Sequence, residues 1–212
     1  MKKATIFIGG KYPDKNRVKP YWQEFGTVIA ADSGLEVTEK YGLSPDLIIG
    51  DMDSIKDDSI LDKYSEGKIR RYSHEKDETD TEIALRKAFE MGCGKIAVIG
   101  GGGGRIDHVF ALLNLFERKK RPYIWITHRD VIMDVGDQIV IDTRTGETVS
   151  FFPVGKEPAE MESEGLKWSL DQLSWKRGMF GISNEAVSGK VKIGMKSGRL
   201  IMVRQLGEPG DG

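Results

Sequence analysis

The sequence predicts an α/β protein in which an N-terminal parallel-sheet domain is followed by a C-terminal antiparallel β-sandwich domain. Two textures in the chain lead to this. Over the first 129 residues, short β-branched apolar runs alternate with helical patterns, which is how a parallel sheet covered by helices reads. From Asp130 the chain turns into alternating apolar and polar stretches separated by turn residues, with no long helical stripe.

The apolar runs are ATIFI (4–8), TVIAA (27–31), DLIIG (46–50), KIRRY (68–72), KIAVIG (95–100) and YIWIT (123–127). Between them, TEIALRKAFEMG has Ile83, Ala84, Ala88 and Met91 on one helical stripe, and RIDHVFALLNLFERKK has Ile106, Val109, Phe110, Leu113 and Phe116. These alternations make the domain over 1–129 Rossmann-like. The domain over 130–212 contains VIMDVG, QIVIDT, ETVSFFPV, KVKIGM and RLIMVRQ, parted by DTRTGE, PVGKEP and KSGR. The terminal GEPGDG predicts a disordered tail.

Composition narrows the function. Hydrophobic residues at 39% and charged residues at 31% are ordinary for a soluble globular protein, so no unusual class is indicated. A formal net charge of -1 leaves no positive field for nucleic acid or an anionic membrane. Cys93 is the single cysteine, so an internal disulfide is excluded; in MGCGK it reads as a small buried hydrophobe. The start MKKATIFIGG has too short an apolar stretch for a signal peptide, and no run reaches the ~20 residues of a membrane span. A cytoplasmic protein is expected.

The placement of acids is the informative feature. TVIAADSG ends a strand at Asp32, DLIIGDMDS ends the next at Asp51 and Asp53, and HEKDETDTE brings Asp77 and Asp80 before a helix. In an open parallel sheet, ligands bind outside the carboxyl ends of the strands, so these acids converge on one edge. Asp51 and Asp53 flank one residue, and an extended backbone points both to the same side. Two such carboxylates repel by several kcal/mol at an effective dielectric of ~20 unless a proton or cation lies between them. Magnesium suits the site, since it takes one or two carboxylates and accepts phosphate oxygens as further ligands. Two of these acids also have a plainer reading: Thr79-Asp80-Thr81-Glu82 matches a capping box around Asp80, and Asp32-Ser33-Gly34 matches a turn.

Five glycines, Gly100–Gly104, join a strand to a helix and let backbone amides approach a phosphate, with Arg105 supplying a donor fork. The run is neither a Walker loop nor a G-x-G-x-x-G fingerprint. His108, one turn into an apolar helix, reads as a core histidine. His74 and His128 lack metal-ligand spacing, so no zinc site is indicated, and Tyr72 to Lys76 matches no motif.

With ADSG (31–34), GDMDS (50–54), DETDTEIAL (77–85), GGGGGRIDH (100–108), GLKWSL (165–170) and GISNE (181–185) in this order, the chain resembles the thiamin pyrophosphokinase family. The resemblance implies an ATP-binding α/β domain, a β-sandwich domain and a homodimer with active sites between subunits. It implies transfer of a diphosphate group from ATP to thiamin, releasing AMP. By position, Asp51, Asp53 and Asp80 resemble the magnesium and catalytic acids, with Asp32 beside them and Arg105 as a further catalytic group. Gly101, Gly102, Arg105 and Asp107 resemble the nucleotide and phosphate contacts. Trp168, Ser183 and Asn184 resemble the thiamin-binding positions, reached from the partner subunit. A tryptophan face suits a flat cation; taken alone, Trp168 reads as core or interface and Ser183-Asn184 as a turn. Two rival readings are a magnesium-dependent phosphotransferase acting on another alcohol, and a nucleotide-binding regulator without catalysis.

Overall fold

The computed structural model describes residues 1–55 and 58–207. From Glu208 onward, the expected disordered tail lies outside the described residues. The chain divides into two compact units. The first holds residues 1–115, 120–129 and the segment beginning at Leu206; the second holds 116–119 and 130–205.

In the first unit six strands, β1 (Lys3–Phe7), β2 (Thr27–Ala31), β3 (Leu47–Gly50), β4 (Ile69–Arg71), β5 (Lys95–Ile99) and β6 (Ile124–Ile126), are all parallel. Their order is β6-β5-β1-β2-β3-β4. β1 is central, and the order of winding reverses between it and β5, so the loops after β1 and β5 open at a topological switch point. Ile6, Ile29, Ile48, Ile96 and Ile99 are fully buried or nearly so, which is why these runs are continuously apolar rather than alternating.

The helices are α1 (Lys15–Val18), α2 (Gly34–Lys40), α3 (Asp80–Glu90) and α4 (Ile106–Asn114). α3 buries Ile83, Ala84 and Ala88, as its spacing predicts, and Leu85 with them. Met91 does not join them: it is the C-cap, past the last turn, and 38% exposed. α4 differs more. It is shorter than the pattern to Lys120 suggests, passing into a 3-10 turn at Leu115–Glu117. The buried residues are Leu112, Leu115 and Phe116, whereas Ile106 and Phe110 are 66% and 58% exposed. The helix packs through its C-terminal end, while its first turn, carried on the glycine loop, stands clear of the core. His108 sits in that turn and is exposed, so it is not the core histidine the sequence suggests.

Arg17 of α1 fastens the returning chain. Its guanidinium donates to the carbonyls of Leu206 (2.9 Å), Gly207 (3.0 Å) and His128 (3.3 Å), and the Leu206 N–H donates to Arg129 O at 2.7 Å.

The second unit is antiparallel. Its strands are β7 (Asp130–Asp134), β8 (Gln138–Asp142), β9 (Thr148–Val154), β10 (Ala159–Glu164), β11 (Ser174–Trp175), β12 (Gly181–Glu185), β13 (Lys190–Ser197) and β14 (Arg199–Gln205). One sheet runs β12-β9-β14-β7 and the other β11-β10-β13-β8, the two sheets of the expected sandwich. β8 alternates exposed and buried residues, with Ile139 and Ile141 inward. Three strands, β10, β11 and β12, go beyond the sequence reading. In β10, AEMESE buries Ala159 and Met161 between outward glutamates, so its apolar signal is thin. β12 holds Ser183 and Asn184, which read as a turn from sequence.

Candidate functional site

Three loops meet at the carboxyl edge of the parallel sheet, and each carries an aspartate. Asp32 follows β2; its N–H continues the ladder to Ile49 O at 2.8 Å, then its backbone enters the left-handed region at φ 47°. Such a conformation costs a non-glycine residue about 1–3 kcal/mol and persists where the surroundings over-determine it. Here the Asp32 carbonyl accepts the Leu35 N–H at 2.9 Å, and Asp32 Oδ1 accepts the Met52 N–H at 3.4 Å.

The loop after β3 is a turn, and this corrects the extended i, i+2 geometry expected for Asp51 and Asp53. Met52 has φ 69°. Its side chain is buried with Ala30, Leu35, Ile48, Ile55, Leu61 and Ile69, and this apolar anchor bends the backbone. The Asp53 N–H closes the turn on Asp51 Oδ1 at 3.2 Å. The Ser33 N–H donates to Ser54 Oγ at 3.2 Å, tying the Asp32 loop to this one.

Asp80 is the first residue of α3, behind a complete capping box: Thr79 Oγ1 accepts the Glu82 N–H at 3.3 Å, and Glu82 Oε2 accepts the Thr79 N–H at 2.7 Å. The cap orients the first turn, and with it Asp80.

Carboxylate oxygens of Asp32, Asp51 and Asp80 all lie within 4.8 Å of one another; so do those of Asp51 and Asp53 with a ring nitrogen of His74. Asp51 belongs to both groups. Asp53 is gathered with His74 and not with Asp80. His74 Nδ1 lies 2.9 Å from Asp51 Oδ2 and 3.7 Å from Asp53 Oδ2. Lys76 Nζ lies 3.0 Å from Asp80 Oδ1, an ion pair without hydrogen-bond alignment. His74 and Lys76 come from the segment to which the sequence assigned nothing. They reach the acids because β4 pairs beside β3, where the Tyr72 N–H donates to Gly50 O at 3.0 Å. Arg71 joins Asp51, Met52, Asp53, Leu61 and Asp62 around a shallow hollow.

The electrostatics follow from crowding. Burial, reinforced by the hydrogen bond and charge of Asp80 and the charge of Asp51, raises Asp32 to about 7. The His74 hydrogen bond holds Asp51 down to about 2. Asp53 is raised, chiefly by the hydrogen bond it shares with Asp51, and His74 is raised by the same two acids. A proton retained by Asp32 near neutrality is the response of a buried carboxyl packed against like charges, and a bound cation could take the place of that proton. A donor set of three carboxylates fits a hard divalent cation in that role.

The glycine loop is more internally bonded than the sequence suggests. Gly100, Gly101 and Gly103 have φ of 115°, 72° and 64°. The N–H of Gly100 donates to Ile126 O, that of Gly101 to Gly9 O, and that of Gly102 to Lys11 O, at 3.0, 2.7 and 3.1 Å. The amides expected from Gly101 and Gly102 are therefore committed. Those of Gly103 and Gly104 have no backbone acceptor among the described residues. Arg105 and Asp107 face each other, Nε to Oδ1 at 3.1 Å and Nη2 to Oδ2 at 2.5 Å, both exposed.

In the second unit, Trp168, Ser183 and Asn184 are neighbours. Asn184 is 5% exposed: its Oδ1 accepts the Trp168 N–H at 3.2 Å and its Nδ2 donates to Trp168 O at 2.7 Å. The ring of Trp168 is 55% exposed, with Lys167 Nζ 5.0 Å from its centroid. Trp168 lies in a loop with its ring in the open, so it is not the core residue that its sequence alone suggests. Ser183 has φ 59° and donates its N–H to Ser150 Oγ at 3.1 Å.

Comparison with known proteins adds a second line. The family model "Thiamin pyrophosphokinase, catalytic domain" matches residues 18–127, and "Thiamin pyrophosphokinase, vitamin B1 binding domain" matches 137–200. Thiamine pyrophosphokinase of Bacillus subtilis (strain 168) is 27% identical over 212 residues, covering 96% of this chain and 99% of its own. Thiamine pyrophosphokinase 1 of Arabidopsis thaliana is 27% identical over 177 residues, covering 76% of this chain and 65% of its own. The crystal structure of the Bacillus subtilis enzyme superposes with a TM-score of 0.78 at 25% identity, over 98% of this chain and 100% of that one. Yeast thiamin pyrophosphokinase shares the fold, with a TM-score of 0.70 at 17% identity, over 96% and 86%.

Proposed function

The chain belongs to the thiamin pyrophosphokinase family, and from that premise we propose that it transfers the diphosphate group of ATP to the hydroxyl of thiamin, giving thiamin diphosphate and AMP. The observation that carries the reading is the convergence of Asp32, Asp51 and Asp80 at the carboxyl edge of the parallel sheet, in a chain that both family models match.

Asp51, Asp53 and Asp80, with Asp32 beside them, would hold magnesium. Bound there, the ion neutralises charge on the transferring phosphates. The chain's own residues do the rest. The turn at Met52 and the capping box at Thr79 fix the carboxylates before substrate arrives, and a site built beforehand does not reorganise during reaction. The glycine loop and Arg105 orient the nucleotide phosphates, with Asp107 restraining the guanidinium until an anion competes for it. Trp168, held by its backbone on Asn184, offers an exposed ring to the thiamin cation, and Ser183 lies beside it. The reading includes a homodimer whose partner subunit supplies the thiamin-binding residues, and a cytoplasmic location. The α/β domain over 1–129 serves catalysis and the β-sandwich over 130–212 serves thiamin binding and dimerisation. Among the described residues no helix is long and apolar enough to cross a membrane.

The test is a product assay with purified protein, ATP, magnesium and thiamin, resolved by chromatography. Thiamin diphosphate and AMP in equal amounts, lost on chelation, support the reading. Thiamin monophosphate with ADP overturns the reaction but keeps the substrate, and no thiamin product overturns both.

A further inference from the structure

The loop after β1 ends in Gly9-Gly10-Lys11 and is joined to the glycine loop after β5. The Lys11 N–H donates to Gly102 O at 2.7 Å, and the Gly102 N–H returns to Lys11 O at 3.1 Å, a two-way bridge that fixes the Lys11 backbone. The aliphatic stem of Lys11 then crosses Gly103. A β-carbon on Gly103 would meet Lys11 Cδ at 2.5 Å, Cγ at 2.9 Å and Cε at 3.1 Å. Glycine at 103 therefore keeps the track open along which this lysine lies.

Lys11 is exposed, and its ammonium has no carboxylate partner among the described residues. The contrast with Arg105 matters. Arg105 is the obvious cation of the loop, yet both its contacts go to Asp107, so its charge is already matched. At the same loop, the N–H groups of Gly103 and Gly104 and the ammonium of Lys11 are among the donors without a partner among the described residues. Backbone amides together with one lysine make a phosphate-binding set: the amides give direction, and the lysine a compact point charge.

We propose that Lys11 is a phosphate-binding residue of the nucleotide site, holding the phosphates beyond the α-phosphate of ATP together with the amides of Gly103 and Gly104. The assignment rests on the nucleotide reading given under Proposed function. The outer phosphates carry the greatest charge density, and an unmatched cation contributes most there.

The experiment is calorimetric titration of the full-length protein with ATP, AMP and inorganic tripolyphosphate, each with magnesium, for the native chain, Lys11→Gln and Lys11→Arg. Loss of a charge-assisted hydrogen bond predicts that K11Q binds ATP and tripolyphosphate roughly ten- to a hundredfold more weakly, with AMP changed by less than about twofold. K11R should recover most of the loss, and thermal unfolding midpoints of all three should coincide. Undiminished ATP binding by K11Q, with the native chain binding ATP normally, overturns the role of Lys11 and leaves the nucleotide reading standing. Equal losses for ATP and AMP overturn it as a general disturbance of the loop. A native chain that binds no ATP overturns both.

Discussion

The space a side chain would fill on Gly50 is taken by the carboxylate of Asp32: a β-carbon there would overlap Asp32 Oδ1, and Gly50 itself sits at φ 153°. The glycine that ends β3 is thus part of the acidic site, since it lets one aspartate lean across the neighbouring strand.

Gly50→Ala is expected to be damaging on two counts, backbone strain and displacement of Asp32. A loss of at least about 2 kcal/mol in stability follows from those mechanisms. Urea unfolding checks it, alongside thiamin diphosphate formation, which should also fall. A stable, fully active variant would contradict the packing described.

Asp32 makes stability depend on pH. Its folded pKa of about 7 lies above the ordinary 3.8, so its contribution is fully present below about 3.8 and is lost as pH rises through 7. Cation-free protein should lose stability over that window, and Asp32→Asn should flatten the decline. Added magnesium should stabilise increasingly as pH rises. Parallel urea midpoints for D32N and the native chain across this range would refute the assignment.

Asp53→Asn separates chemistry from folding, because the side chain of Asp53 is 63% exposed. Its stability should stay within about 0.5 kcal/mol of native. Turnover should fall by roughly a hundredfold to a thousandfold, the scale of losing one electrostatic contact to a transition state. A folded D53N of near-native activity would remove Asp53 from the metal site.

Trp168→Ala should weaken thiamin binding roughly two- to thirtyfold, the range of a cation–π contact. ATP binding should be unchanged, as should the melting temperature, since the ring is 55% exposed. Equal loss for both substrates would point to a fault in folding instead.

β1, β2, β3, β5 and β6 were legible because each is buried on both faces and so reads as a nearly unbroken apolar run, whereas the edge strand β4 exposes Arg70 and Arg71. Loops were legible where chemistry is written into local spacing, as in the Thr79–Glu82 capping box. Asp51 and Asp53 were recognisable as a pair, but their turn was not, because it depends on Met52 finding a pocket made by β2, β3 and α2. His74 was invisible for the same reason: its partners lie 23 and 21 positions away and meet it only when β4 docks on β3. The glycine run suggested open amides, yet three are taken by Ile126, Gly9 and Lys11 in other strands and loops, which no local pattern records. α4 misled most: of its expected stripe Phe116 is buried, but Ile106 and Phe110 are exposed, and the rest of the packing falls on Leu112 and Leu115.

The clasp of Arg17 on Leu206 joins residues 189 positions apart and imposes an order on birth as well as on shape. A nascent chain that has emerged through Ile126 holds all six parallel strands, and β1 can already dock between β2 and β5. The Arg17 bonds to Leu206 and Gly207 must still wait until translation reaches those residues. The parallel-sheet unit is thus begun first and buckled late, and a protease cutting after Gln205 would spare every acid and glycine of the candidate site while undoing the buckle.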